Sequence, residues 1–175
     1  ITEGSTKILV PKGAIYDKVP PKYPAFFNPR AKINRDLSII VYSTFIKKFE
    51  GPRIFLEGLS GLGARGLRVA NEIQEFDKVV LNDLNPKALE LAVESAKENK
   101  LNNLEFSEEE VCRFLSKYSK KGNRGTIIDI DPFGSPAKYL DCGLKKTGSL
   151  GGTIFGVEHS SRVARDFLDR VATTR

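Results

Sequence analysis

At 175 residues, 40% apolar and 29% charged, the chain can bury one core with an appendage, and its composition is that of an ordinary soluble globular domain. No apolar run reaches membrane-spanning length, and the N-terminus lacks the apolar stretch of a signal peptide. With 28 basic and 22 acidic residues the net charge is +6 and the pI about 9.3, a balance that favours a polyanionic partner.

Residues 1–30 are rich in proline, lysine and aromatics, which predicts an extended arm with a short strand at Lys7-Ile8-Leu9-Val10. From Asn34, a plausible N-cap, Leu37, Ile40, Val41, Thr44, Phe45 and Lys48 fall at helical spacing until Gly51-Pro52. Strands and helices then alternate. Arg53–Glu57 reads as a strand, Gly58–Gly66 as a glycine loop, Leu67–Gln74 as a helix, and Lys78–Asp83 as a second strand. Pro86–Lys97 reads as a helix, Leu104–Phe106 as a weak strand, and Glu110–Tyr118 as a short helix. A strand at Thr126–Ile130, a helix at Ala137–Lys145, a strand at Gly152–Val157 and an amphipathic helix at Ser160–Ala172 complete the series. Such alternation predicts an α/β fold with a parallel, doubly wound sheet. The expected divisions are residues 1–50 for the arm and first helix, 51–150 for the ligand-binding and catalytic unit, and 151–175 for a tail.

Two features concern the chain as a whole. Cys112 and Cys142 lack a paired CxxC spacing. They read as isolated thiols, neither a zinc site nor a disulfide, which fits a reducing cytoplasm. The chain begins at Ile1 and contains no Met, which is expected of a processed, truncated or partly given polypeptide and would be settled by the intact mass.

The glycine loop Gly61-Leu62-Gly63-Ala64-Arg65-Gly66 lies between a strand and a helix, where glycines let backbone approach a ligand. Asp83 ends the next strand, where a carboxylate can hold two ribose hydroxyls. Glu57, ahead of the glycines, discriminates between cofactors. It would repel a dinucleotide's diphosphate but attract the ammonium of S-adenosylmethionine (AdoMet). Arg65 would suit the methionine carboxylate. Glu110, with the backbone of Val111, is placed to meet an adenine. Behind the apolar run Thr126–Ile130, Asp131-Pro132-Phe133-Gly134 puts a carboxylate and a ring at a strand's C-terminal end, where open α/β sheets bind ligands. An acceptor beside a flat ring suits a planar base carrying an exocyclic amine.

Glu57, Gly61-x-Gly63, Asp83 and Asp131-Pro132-Phe133, in that order, resemble the class I AdoMet methyltransferases that modify amines, a Rossmann-like fold. The third and fourth positions of the last motif, Phe133 and Gly134, depart from the usual signature and point to a narrower match. Together with Glu3-Gly4, Lys7–Pro11, Phe27-Asn28-Pro29-Arg30, Asn34–Ser38, Ser60–Gly66 and Asp129–Pro136, they resemble the tRNA (guanine-N2-)-dimethyltransferase family. The resemblance implies N2 methylation of guanine 26 in tRNA. It also implies AdoMet held by Arg35, Arg65, Asp83 and Glu110-Val111, and Asp131 as the catalytic carboxylate. Pro132 would accept an amine hydrogen through its carbonyl, and Phe133 and Phe27 would stack on the base. Lys12, Lys18, Lys22, Arg30 and Lys32, and a second group at Lys117, Lys120, Lys121 and Arg124, would follow the phosphate backbone.

The resemblance ends near Leu150, so the tail is read as a remnant of a tRNA-contacting domain. No metal is implied, and His159, Val163, Phe167, Leu168 and Val171 receive no functional role. An amine methyltransferase acting on another nucleic acid and a non-catalytic RNA-binding fragment remain alternative readings. A nucleotide-binding oxidoreductase is disfavoured by Glu57 and Asp131-Pro132-Phe133.

Overall fold

The computed structural model describes residues 1–120, 122–135, 137–139, 142–143 and the backbone of 147–155. Among the described residues, five strands form one parallel sheet: β3 (Ile54–Glu57), β4 (Lys78–Asn82), β5 (Leu104–Ser107), β6 (Gly125–Ile130) and β7 (Thr147–Phe155), in the order β5-β4-β3-β6-β7. A smaller hairpin, β1 (Thr2–Glu3) with β2 (Thr6–Lys7), precedes them. Helices α1 (Gly13–Tyr16), α2 (Lys32–Ile46), α3 (Ala64–Glu72), α4 (Pro86–Glu98) and α5 (Val111–Ser116) are among the described residues. No helix among the described residues is long and apolar enough to cross a membrane.

Every residue of β3 and β6 is buried, because a parallel sheet is covered on both faces and its strands read as continuous apolar runs. Alternation along β3 sends Phe55 to one core, with Tyr42, Leu67 and Leu81, and Ile54 and Leu56 to another, with Val111, Phe114 and Ile128. The chain reverses its winding direction between β3 and β6. The C-terminal ends of those two strands therefore flank the crevice in which such sheets bind ligands.

Local chemistry sets the helix ends. Asn85 caps α4 by accepting from the Lys87 N–H at 3.1 Å, with Pro86 first in the helix. Beyond its far end Lys100 adopts φ +56°, and the Lys100 and Leu101 N–H groups return to the Lys97 and Ala96 carbonyls, a Schellman closure. Glu110 caps α5 through the Arg113 N–H at 3.0 Å.

Several expectations change. Asn34 is not an N-cap. The helix begins earlier, behind a 3₁₀ turn at Pro29–Ala31 that Asn28 caps, and the Asn34 amide oxygen accepts from Arg65 instead. The apolar spacing of α2 does mark a helix, but Leu37, Ile40 and Val41 are 57%, 61% and 51% exposed. Arg35, Tyr42 and Ile46 face inward, because Glu3 and Asp129 supply buried partners for the two polar ones. The arm does not stand off. Ile8, Ala14, Ala25 and Phe27 enter the core, and the Leu9 N–H donates to Ser95 Oγ at 2.9 Å. The last described strand starts at Thr147 rather than Gly152, with a shift in register opposite Gly125–Ile127. Within the expected helix at 137–145, the described parts are a 3₁₀ turn at Ala137–Tyr139 and helical backbone at Cys142-Gly143. The expected helix at 160–172, together with Lys121 and His159, lies outside the described residues.

The two cysteines are not isolated in space. Cys112 in α5 and Cys142 after β6 lie on the same face of the sheet, Cα atoms 5.4 Å apart, and form a disulfide. Thirty residues separate them in the sequence, so no local spacing reveals the pair, and the inference to a reducing compartment loses its basis.

Gly66 lies where α3 packs against β3 and β4. A Cβ there would overlap Leu81 and come within 2.5 Å of Glu57 Oε2. Gly66→Ala is expected to lower stability by about 1–3 kcal/mol, read as a lower urea midpoint with an unchanged slope. An unchanged midpoint would contradict this packing.

Candidate active site

A cavity of about 590 Å³ opens at the C-terminal ends of β3, β4 and β6. Phe27, Arg35, Glu57, Gly61, Arg65, Asp83, Asp131, Pro132 and Phe133, scattered over 107 residues of sequence, all line it. Two positive-φ glycines, Gly61 at +55° and Gly63 at +76°, turn the chain from β3 into α3. Gly63 takes the left-handed position directly before α3, where a side chain would also meet Leu81. The Gly61 N–H donates to Asp83 Oδ2 at 2.7 Å and the Asn85 N–H to Asp83 Oδ1 at 2.9 Å. The Asp83 carboxylate is thus oriented at the cavity wall by backbone donors from two loops.

The centre of the site is one guanidinium among three carboxylates. Arg65 Nη1 donates to Asp129 Oδ2 at 3.0 Å, while Nη2 donates to Asp131 Oδ2 and to Asn34 Oδ1, each at 2.8 Å. Asp129 and Asp131 are two residues apart, so the pleat of β6 and its extension aims both at α3. The hydroxyl of Tyr42 also donates to Asp129 Oδ2, at 2.5 Å. Glu57 accepts from the Gly66 N–H at 3.0 Å. Burial pushes the Glu57 carboxyl well above the usual carboxylate range; Asp129 adds to the rise and Arg65 opposes it. Burial also raises the Asp129 carboxyl against the pull of Arg65. Three acidic groups around one cation make this end of the cavity favour the cationic part of a ligand. Among the described residues, Asp131 Oδ1 and Arg65 Nε are buried with no hydrogen-bond partner. One oxygen of Asp131 is therefore fixed while the other is left for a ligand.

Arg35 enters from α2. It donates twice to Glu3, at 2.7 and 2.8 Å, and lies 4.7 Å from the centre of the Phe27 ring. Phe27 is 3% exposed beneath it. The ring that meets Phe133 is its neighbour Phe26, edge-to-face with centroids 4.9 Å apart. Phe133 itself is 77% exposed at the rim. Gly63, Glu110 and Val111 do not line the cavity. Glu110 is an exposed helix cap and Val111 is buried against the second core.

Sequence reasoning missed Asp129, Tyr42, Asn34, Glu3 as a partner of Arg35, and Phe26. Asp129 carried a usable signal, since it sits two residues before Asp131 on one strand. Asn82 was also missed. Its amide bridges the Gly58 and Glu109 carbonyls at 3.0 and 2.9 Å, and its oxygen accepts from the Glu109 N–H at 3.1 Å. The loops after β3 and β5 are thereby held to β4.

Residues 4–153 match the family model of the N2,N2-dimethylguanosine tRNA methyltransferases. A tRNA (guanine(26)-N(2))-dimethyltransferase from Methanococcus aeolicus is 37% identical over 160 residues, covering 88% of this chain and 41% of the relative. The protein of the same name from Methanocaldococcus jannaschii is 37% identical over 158 residues, covering 84% and 41%. The chain thus spans about two fifths of the length of the relatives it matches. Among solved structures, Trm1 from Pyrococcus horikoshii in complex with S-adenosyl-L-methionine superposes with a TM-score of 0.68 at 30% identity, covering 90% of this chain and 41% of that one. A SAM-dependent methyltransferase from Agrobacterium tumefaciens, at a TM-score of 0.63 and 16% identity, shares the Rossmann-like methyltransferase fold alone. On the family model and on the motifs that meet in its cavity, this chain belongs to the N2,N2-dimethylguanosine tRNA methyltransferase family.

Proposed function

We propose that this chain is the catalytic part of an AdoMet-dependent methyltransferase acting on the exocyclic N2 amine of guanine 26 in tRNA. One observation carries the reading. Asp131 has one oxygen held by Arg65 and the other buried without a partner among the described residues, in a cavity it shares with Glu57 and Asp83 beside the Phe26–Phe133 pair. The names of the relatives supply the base and its position.

The residues fit the cofactor. The cavity volume is that of a small-molecule site. Glu57 faces the ammonium, and Asp83 takes the ribose hydroxyls. A dinucleotide's diphosphate would meet Glu57, and unit charges about 4 Å apart interact by about 4 kcal/mol near a protein surface, so a cationic ligand is preferred. Arg65 has both Nη groups committed within the protein, so the methionine carboxylate falls to Arg35. Glu110 caps α5 and Val111 opens it outside the cavity lining, so neither is assigned to the adenine. When bound, AdoMet supplies an electrophilic methyl group.

Guanine N2 is a weak nucleophile because its lone pair is delocalised into the ring. Asp131 Oδ1 accepts one amine hydrogen, returns the lone pair to nitrogen and takes the proton as nitrogen becomes bonded to carbon. Arg65 keeps the other oxygen of Asp131 occupied, so the carboxylate keeps one orientation. The Pro132 carbonyl accepts the second amine hydrogen. Phe133 stacks on the extruded base, with Phe26 edge-to-face against it, which stabilises by about 1–3 kcal/mol per stacked base and offsets part of the cost of unstacking a tRNA residue. Lys22 and Lys138 line the cavity and are placed to meet the flanking phosphates. Phe26, Phe27, Asn28 and Arg35 from residues 1–50 thus belong to the active site, and the tail is assigned to tRNA contact. We assign the reaction to the cytoplasm, where a Cys112–Cys142 bridge would be transient unless the compartment favours disulfides.

Two outcomes are expected. With radiolabelled AdoMet and unmodified tRNA, label should appear on guanine N2. Asp131→Ala should lower the transfer rate about 10²- to 10⁴-fold; label that survives this change would remove Asp131 from catalysis. The second concerns pH. A carboxyl whose pKa is raised by folding weakens the folded state as pH rises through its unfolded value, and does so fully above its folded value. Glu57→Gln should therefore stabilise the ligand-free protein increasingly at higher pH, and should weaken AdoMet. Because the ammonium favours ionised Glu57, binding to the unsubstituted protein should release protons and weaken as pH falls. Calorimetry in two buffers of different ionisation enthalpy reads this, and a buffer-independent heat with pH-independent affinity would contradict it.

A further inference from the structure

Glu3-Gly4 is part of the family-like pattern, yet the mechanism above gives it no task. The structure places Glu3 at the end of β1, buried under α2 and α3. Its two oxygens accept from Arg35 Nε and Nη2 at 2.8 and 2.7 Å, a side-on fork, and Arg68 Nη1 lies 3.7 Å from the same carboxylate. Arg35 Nη2 also donates to the Asn28 carbonyl at 3.2 Å. Among the described residues Nη1 has no hydrogen-bonded partner, and Arg35 lines the cavity.

The rest of the hairpin is built to hold Glu3 there. Gly4 takes φ +56° at the turn, and a Cβ on it would overlap the Glu72 carboxylate. Thr6 Oγ1 donates to Glu72 Oε1 at 2.9 Å, and Arg68 ties the same Glu72 at 3.0 and 3.1 Å while reaching Asp36 at 2.6 Å. Without a carboxylate between them, the Arg35 and Arg68 guanidiniums would repel each other in a buried space, and Arg35 would lose its fixed angle.

We propose that Glu3 is a positioning residue for cofactor binding: the N-terminal hairpin sets Arg35 so that Nη1 alone is presented to the ligand's carboxylate. The inference rests on the reading of the cavity as an AdoMet site. A planar fork clamped on one edge presents its free edge in one direction, and less side-chain freedom is lost when the ligand arrives.

Two ligands separate positioning from general stability: AdoMet, and 5′-methylthioadenosine, which has the same nucleoside but no amino-acid moiety. In Glu3→Gln the Kd for AdoMet should rise about tenfold, with that for 5′-methylthioadenosine unchanged within about twofold. Glu3→Asp, which keeps the charge but withdraws the fork, should give a smaller loss for AdoMet alone, and it carries the test if Glu3→Gln does not fold. Equal weakening of both ligands would reduce Glu3 to a structural role and overturn the proposal. So would unchanged or tighter AdoMet binding in Glu3→Asp. An unsubstituted protein that binds neither ligand would instead overturn the cofactor reading, and this inference with it.

Discussion

The site depends on Arg65, a single buried guanidinium that keeps Glu57, Asp129 and Asp131 together. Three carboxylates at the closed end of a cavity are costly, because each loses hydration and each repels the others. Arg65 meets two of them directly, Tyr42 adds a hydrogen bond to Asp129, and the Gly66 N–H satisfies Glu57. The compensation is partial, as the raised Glu57 and Asp129 carboxyls attest. A site in this condition gains most from a ligand that brings positive charge. Proteins commonly retain such locally unfavourable clusters where function requires them.

The surrounding architecture follows from holding that cluster. The glycine turn after β3 is tight because α3 must bring Arg65 over the sheet, and Gly66 gives it room against Leu81. Helix α2 turns Arg35 and Tyr42 inward and leaves Leu37, Ile40 and Val41 outside. The N-terminal hairpin, far from β6 in sequence, closes the arrangement by supplying Glu3. The arm that follows the hairpin is part of the pocket wall, through Lys22, Phe26, Phe27 and Asn28.

Much of this was legible in the sequence, for identifiable reasons. The parallel sheet followed from short apolar runs alternating with amphipathic segments, and strand bounds came within one or two residues for β3, β4, β5 and β6. The cavity-lining residues Glu57, Gly61, Asp83 and Asp131 were readable because ligand-facing groups in such sheets cluster at strand ends. What stayed hidden was pairing at a distance. Nothing local tells that Tyr42 answers Asp129, that Glu3 answers Arg35, or that Cys112 meets Cys142. The choice between Phe26 and Phe27 turned on backbone direction within a proline-rich stretch, where no helix or strand period fixes which ring points inward. The inward face of α2 was hidden for a related reason. Two polar residues outcompeted the apolar ones, which only the buried partners can explain.

The most direct test of the account is a crystal structure of this chain with AdoMet. The account predicts the carboxylate at Arg35 Nη1, the ammonium beside Glu57, the ribose hydroxyls at Asp83 and the methyl group directed toward the free oxygen of Asp131. A ligand seated with its methyl turned away from Asp131, or with its carboxylate against Glu57, would contradict it.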